Sequence, residues 1–195
     1  MPVIWGLAIL MAIVEGVLYL GDIGLGPVGH RMAFAYGAFW SPLLGDVVPL
    51  YQGQKYVMFL SHAFLHGGLL HLAMNVTILL SLGRLGVLAV GERRTLILFF
   101  LSVLAGAVAF VFLGPSDPVP MVGASGGLFG LIAAWKRWEW DMVRARGLSL
   151  TPQYRFLLGF LAINIALVIF MPSIAWEAHL GGFVLGWLLA PTLRR

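Results

Sequence analysis

The chain has 195 residues, 61% of them hydrophobic and 10% charged, with a mean hydropathy of +0.96. Soluble domains carry about 25% charged residues, so this composition excludes a soluble globular protein and leaves no room for a separate soluble domain. The net charge of +4 comes without a basic aromatic patch of the kind that binds nucleic acid, and with no cysteine there are no disulfides and no thiolate metal ligands.

Six apolar runs are predicted to cross a bilayer, at roughly 3–20, 67–83, 95–114, 122–135, 154–171 and 177–193. Most reach or approach the ~17–25 residues a span requires, and the fourth is short by that count. The fold class is therefore an all-α membrane protein, a single six-helix domain over 1–195. The first run has no basic flank and no small-residue cleavage site, so it is expected to be a retained span rather than a signal peptide. It contains Glu15, expected to pair with His30 or Arg31 or to face water.

Segment 22–56 holds glycine, proline and aromatics (Phe34, Tyr36, Phe39, Trp40, Pro42) with few charges, and is expected to be a long structured loop at the membrane surface. His62 and His66 follow it at i, i+4, a spacing that can hold zinc. His71, however, lies about 140° further round a continuous helix, and no Asp or Glu stands nearby. The two histidines are instead expected to cap the outer helix end and tie the loop to it, with no metal and no cofactor.

In the second span His71 and Asn75 share one face. The fourth opens on Gly123-Ala124-Ser125-Gly126 and is lined by Gly126, Gly127 and Gly130. The last opens near His179, followed by Gly182 and Gly186 at the GxxxG spacing of closely packed membrane helices.

Charge placement orients the spans. Arg84, Arg93 and Arg94, then Lys136, Arg137, Arg144, Arg146 and Arg155, and finally Arg194-Arg195 make ten of the twelve basic residues, all on one side if six helices alternate. The positive-inside rule puts that side, and both termini, in the cytoplasm of a cell-membrane protein. Measured from the basic end of each helix at ~1.5 Å per residue, Ser125 lies ~15 Å, His179 ~22 Å, His71 ~20 Å and Asn75 ~14 Å into the membrane. Four polar side chains from three helices thus share one layer, in the middle-to-outer part of a ~30 Å core.

Polar groups in a bilayer are costly and mark function. Ser125 needs a base to become a nucleophile, and His179 can serve; serine with histidine is the arrangement for acyl transfer. Glu177, about 200° round the helix from His179, is expected to face elsewhere, leaving a dyad. Phe129, one turn after Ser125, is placed to pack on the imidazole. His71, Asn75 and the Ser125 backbone N–H suit a developing oxyanion. Each signal alone has an ordinary reading: a packing serine, a buried structural histidine, an asparagine bridging helices for about 0.6 kcal/mol. Their joint occurrence at one depth is what points to chemistry.

The segments HGGLLHLAMN (66–75), GASGGLFG (123–130) and AHLGGFVLG (178–186) resemble, in order and spacing, those of the rhomboid family of intramembrane serine proteases. The resemblance implies a six-helix rhomboid-like bundle with a Ser125–His179 dyad and oxyanion stabilisation by His71, Asn75 and the Ser125 amide. It implies substrates that are transmembrane segments of other proteins, cut without cofactor or metal in a cavity opening to the outer side. It also implies a lateral gate at the fifth helix and loop 171–176. Two positions depart from the pattern. Val57-Met58 stands where many members have a Trp-Arg pair, and Phe129 stands where many have tyrosine, which keeps ring stacking but not a hydroxyl contact. The competing readings are a catalytically inactive rhomboid-like protein that binds transmembrane segments, and a transporter; the latter needs ionisable residues along a path, whereas here they sit in one layer.

Overall fold

The computed structural model describes residues 1–45, 47–115, 118–171 and 174–194. Its elements are α1 (Pro2–Asp22), α2 (His30–Gly37), α3 (Gln54–Ser61), α4 (Leu69–Val90), α5 (Glu92–Leu113), α6 (Ser125–Ala145), α7 (Thr151–Phe170) and α8 (Trp176–Leu193), with 3-10 turns at Ser41–Leu44 and His62–Phe64. Helices satisfy their own backbone hydrogen bonds, as hydrocarbon requires. Among the described residues α1, α4, α5 and α7 are long and apolar enough to cross a membrane, which makes this a multi-pass membrane protein. The other two long helices are more polar because α6 carries charged residues from Lys136 onward and α8 carries Glu177 and His179.

Two expected boundaries move. The anticipated connection 84–94 is helical except at Gly91, whose φ of +84° turns the chain between α4 and α5. Apolar residues carry α4 on to Val90, so Arg84 lies ~9 Å inside the helix end and is not a boundary marker. The fourth run starts at Ser125 rather than 122 and continues to Ala145. Salt bridges Lys136–Glu139 (2.6 Å) and Arg137–Asp141 (3.0 Å), at i,i+3 and i,i+4, carry it past Trp135. Of loop 171–176, anticipated as part of a gate, Pro172 and Ser173 lie outside the described residues, as does Arg195.

The long first loop is fastened at several points. His30 Nε2 lies 3.2 Å from Glu15 Oε1, its Nδ1 contacts Asp22 Oδ2, and its backbone N–H donates to Asp22 Oδ1 at 2.9 Å. Glu15 is 1% exposed and is thereby paired with His30, not Arg31. Further along, Trp40 Nε1 donates to the Phe34 carbonyl (2.8 Å), Gln54 Nε2 to that of Ala35 (2.7 Å) and Ser61 Oγ to that of Gly37 (2.6 Å). Met58, at the site of the missing Trp-Arg pair, is fully buried with Phe39, Leu43, Phe110 and Met121. Apolar burial anchors this part of the loop.

The centre of the bundle is α6, which buries Gly126, Gly127, Leu128, Gly130, Leu131, Ala133, Ala134 and Trp138. It packs most extensively against α8, then α5. Between membrane helices there is no hydrophobic drive, so close van der Waals fit does the work. A Cβ at Gly182 would strike the Gly126 carbonyl, and one at Gly186 the backbone of Gly130. The opposite case is α7, which buries only Gln153.

Two outcomes are expected. Gly186→Ala forces α8 away from the α6 backbone and lowers stability by about 1–3 kcal/mol, measured by unfolding in detergent. Burial alone lowers the His30 pKa, but the hydrogen bonds and charges of Asp22 and Glu15 outweigh it, and the net shift is upward. A raised folded pKa stabilises fully below the ordinary histidine value of 6.5 and fades as pH rises through the folded value. Wild-type stability should therefore fall across that window, and His30→Gln should flatten the dependence.

Candidate active site

The nucleophile candidate is set by the chain just before it. Phe39 and Met121 exchange two backbone hydrogen bonds, Phe39 N–H to Met121 O (2.9 Å) and Met121 N–H to Phe39 O (3.0 Å), in an isolated antiparallel bridge. The Gly123 N–H donates to the His62 carbonyl at 2.8 Å. Residues 121–123 are thus held by the long loop at two points, and Gly123 then takes φ +115°, a conformation open to glycine, to start α6. Ser125 is the first helical residue and Ala124 supplies no side-chain cap. The first intrahelical bond is Leu128 N–H to Ala124 O (3.2 Å). The N–H groups of Ser125, Gly126 and Gly127 precede it, and such uncapped groups at a helix N-terminus are donors for an anion.

His179 lies in the first turn of α8, and its Nε2 is 2.9 Å from Ser125 Oγ. The hydroxyl donates to Nε2, which puts the imidazole proton on Nδ1. That atom is buried and has no hydrogen-bond partner among the described residues. Among the described residues no carboxylate, Glu177 included, hydrogen-bonds it. The ring is instead held by Phe129, stacked face to face with centroids 3.9 Å apart and planes 13° from parallel.

His71 sits in the first turn of α4 beside the Gly123 backbone, where a Cβ at residue 123 would lie 2.9 Å from its Nε2. The Gly67 N–H donates to His71 Nδ1 at 3.2 Å. A neutral imidazole that accepts at Nδ1 carries its proton on Nε2, so the donor of His71 is on the side facing the loop that leads to Ser125. Asn75, 4% exposed, donates one N–H to the His71 carbonyl at 2.8 Å and retains a second; its Oδ1 is buried without a partner among the described residues. The amide is therefore partly engaged in its own helix.

His62 and His66 hold other positions. His62 Nδ1 donates to the Met58 carbonyl at 2.8 Å. Burial holds its pKa down at about 4, so it is neutral at pH 7. His66 is fully buried and meets His71 edge-on at 5.2 Å between centroids. Three features are absent from the sequence-derived candidates. The Gly67 N–H and the Phe39–Met121 bridge are backbone contacts with no side-chain signal. The third, Asn164, is an amide in the apolar run of α7 and meets the same criterion that singles out Asn75.

Residues 53–195 match the Rhomboid domain, and the chain belongs to the rhomboid family. It is 30% identical over 141 residues to RHOMBOID-like protein 5 of Arabidopsis thaliana, covering 71% of this chain and 44% of the relative. Over 147 residues it is 30% identical to RHOMBOID-like protein 4 of the same plant, covering 74% and 36%. Over 178 residues it is 27% identical to the Rhomboid protease GluP of Bacillus subtilis, covering 91% and 32%. The chain spans less than half the length of each of these three.

Gly123→Ala both strains a left-handed residue and drives a methyl group into the His71 ring. It is expected to slow modification of Ser125 by a serine-directed phosphonate at least tenfold, measured as a labelling rate in detergent.

Proposed function

We propose that this protein is an intramembrane serine endopeptidase that cuts transmembrane segments of other membrane proteins. The observation that carries the reading is the 2.9 Å contact between Ser125 Oγ and His179 Nε2. An alcohol bonded to an imidazole, with helix N-terminal donors beside it, is equipped for acyl transfer. Family membership supports it, as does the protease name carried by the Bacillus relative.

In the proposed reaction His179 Nε2 takes the Ser125 proton as Oγ attacks the scissile carbonyl. The tetrahedral oxyanion is met by the Ser125 N–H, His71 Nε2–H and the free N–H of Asn75. His179 then passes its proton to the leaving amine, and water, activated by the same imidazole, cleaves the acyl-enzyme. No step calls for a metal or cofactor. The architecture proposed with it has six spans, α6 and α8 joining the four more apolar helices. Both termini lie in the cytoplasm, a reading the placement of the basic residues supports, the cavity opens to the outer side, and substrate enters beside α7.

The test is cleavage of a reporter with one transmembrane segment by the purified protein in lipid vesicles. Wild type is expected to cleave, and Ser125→Ala and His179→Ala to leave the reporter intact while keeping the wild-type melting temperature. Asn75→Ala is expected to lower kcat by about 10²-fold, the scale of one oxyanion donor, with little change in stability. Persistent cleavage by Ser125→Ala contradicts the mechanism. Reporter binding without cleavage by the wild type supports the inactive, segment-binding reading instead.

A further inference from the structure

Around the Ser125–His179 pair the three helices α6, α7 and α8 repeat one arrangement. Phe129 lies one turn from Ser125 on α6, Phe183 one turn from His179 on α8, and Phe160 of α7 packs between them, 5.3 Å from Phe129 and 5.5 Å from Phe183 by ring centroids. Phe129 in turn stacks on His179. These rings form an aromatic floor, rooted one turn below Ser125 and His179 and lying against the imidazole face. α6 and α8 run from the reacting groups down to that floor. α7, between them in sequence, runs the other way, so the residue one turn above Phe160 is Phe160 plus four, Asn164. Four residues are ~6 Å of rise and about 40° of rotation. That places Asn164 over the same face as Phe160, at the level of Ser125 and His179.

Asn164 is half-buried and its Nδ2 donates to the Phe160 carbonyl at 2.8 Å. The same back-bonding satisfies the hydroxyls of Thr77 and Ser81 on α4. An amide is different: it has two donor hydrogens and two acceptor lone pairs, and one bond leaves a donor and the carbonyl oxygen available. Such a group in the middle of a membrane helix is costly unless it has a use.

The geometry points to Asn164 as a substrate-binding residue: its amide hydrogen-bonds the main chain of the substrate beside the scissile peptide. This rests on the proteolytic reading. A transmembrane segment opened for attack loses helical hydrogen bonds and exposes N–H and C=O groups where little water compensates them. One amide offering a donor and an acceptor suits such an extended backbone whatever its side chains. It also makes α7, the least buried of the long helices, a wall of the site that engages when substrate is present.

The experiment measures three quantities for wild type, Asn164→Leu and Asn164→Gln in lipid vesicles: kcat and KM on the reporter, the rate of phosphonate labelling of Ser125, and the melting temperature. The leucine is close to isosteric and apolar. Asn164→Leu is expected to lower kcat/KM at least tenfold, labelling and melting temperature staying at or above wild type, because the small phosphonate makes no use of α7. Asn164→Gln is expected to recover most of the loss. Wild-type kcat/KM in Asn164→Leu, or labelling that falls in parallel with cleavage, overturns the inference and leaves the protease reading standing. A wild type that neither labels nor cleaves overturns both.

Discussion

Gly182 and Gly186 of α8 lie against the backbone of α6 at Gly126 and Gly130, and that close approach sets the distance between Ser125 and His179. A hydrogen bond tolerates only a few tenths of an ångström of error, whereas a single methyl group between two helices moves them by more. The four glycines let the backbones touch, and Ser125 and His179, each one turn or less from the contact, meet as a result. The same stripe gives α6 its place at the centre of the bundle, between α8 and α5, where Gly127 admits the ring of Phe99.

Within that frame the candidate site is held by ring stacking and backbone contacts. His179 has an aromatic ring on its face and, among the described residues, no acceptor at Nδ1. His71 has its tautomer fixed by a backbone N–H and not by an acid. A buried carboxylate would carry a large desolvation cost, and stacking together with backbone dipoles orients the rings without it. The carboxylate buried in the first span, Glu15, has been put to another purpose, holding His30 and with it the start of the long loop. That loop reaches the site through backbone bonds at Met121 and Gly123. Those backbone bonds position the segment that leads into Ser125.

How much of this was legible in the sequence differs by kind of contact. The contact of Ser125 with His179 was legible from their common depth and from the rhomboid resemblance, and the Phe129 stacking and the glycine contact from side chains at helical spacing. The start of α6 at Ser125 was less visible, because Met121 and Val122 extend the apolar run although they lie in an extended segment. The Gly67 donor and the Phe39–Met121 bridge are backbone-to-ring and backbone-to-backbone, so no residue type announces them. Arg84 misled for a physical reason: a long basic side chain can leave a helix well before its end, and α4 continues to Val90. Asn164 was legible by its polarity alone; its level relative to the site needed the direction of α7.

The central claim is that an alcohol on α6 is activated by an imidazole on α8. The most direct measurement is modification by a serine-directed phosphonate followed by mass mapping of the labelled residue, in wild type and in His179→Ala. The account requires label on Ser125 in the wild type and loss of that label when the imidazole is removed. Label on another serine, or equal labelling of Ser125 without His179, contradicts it.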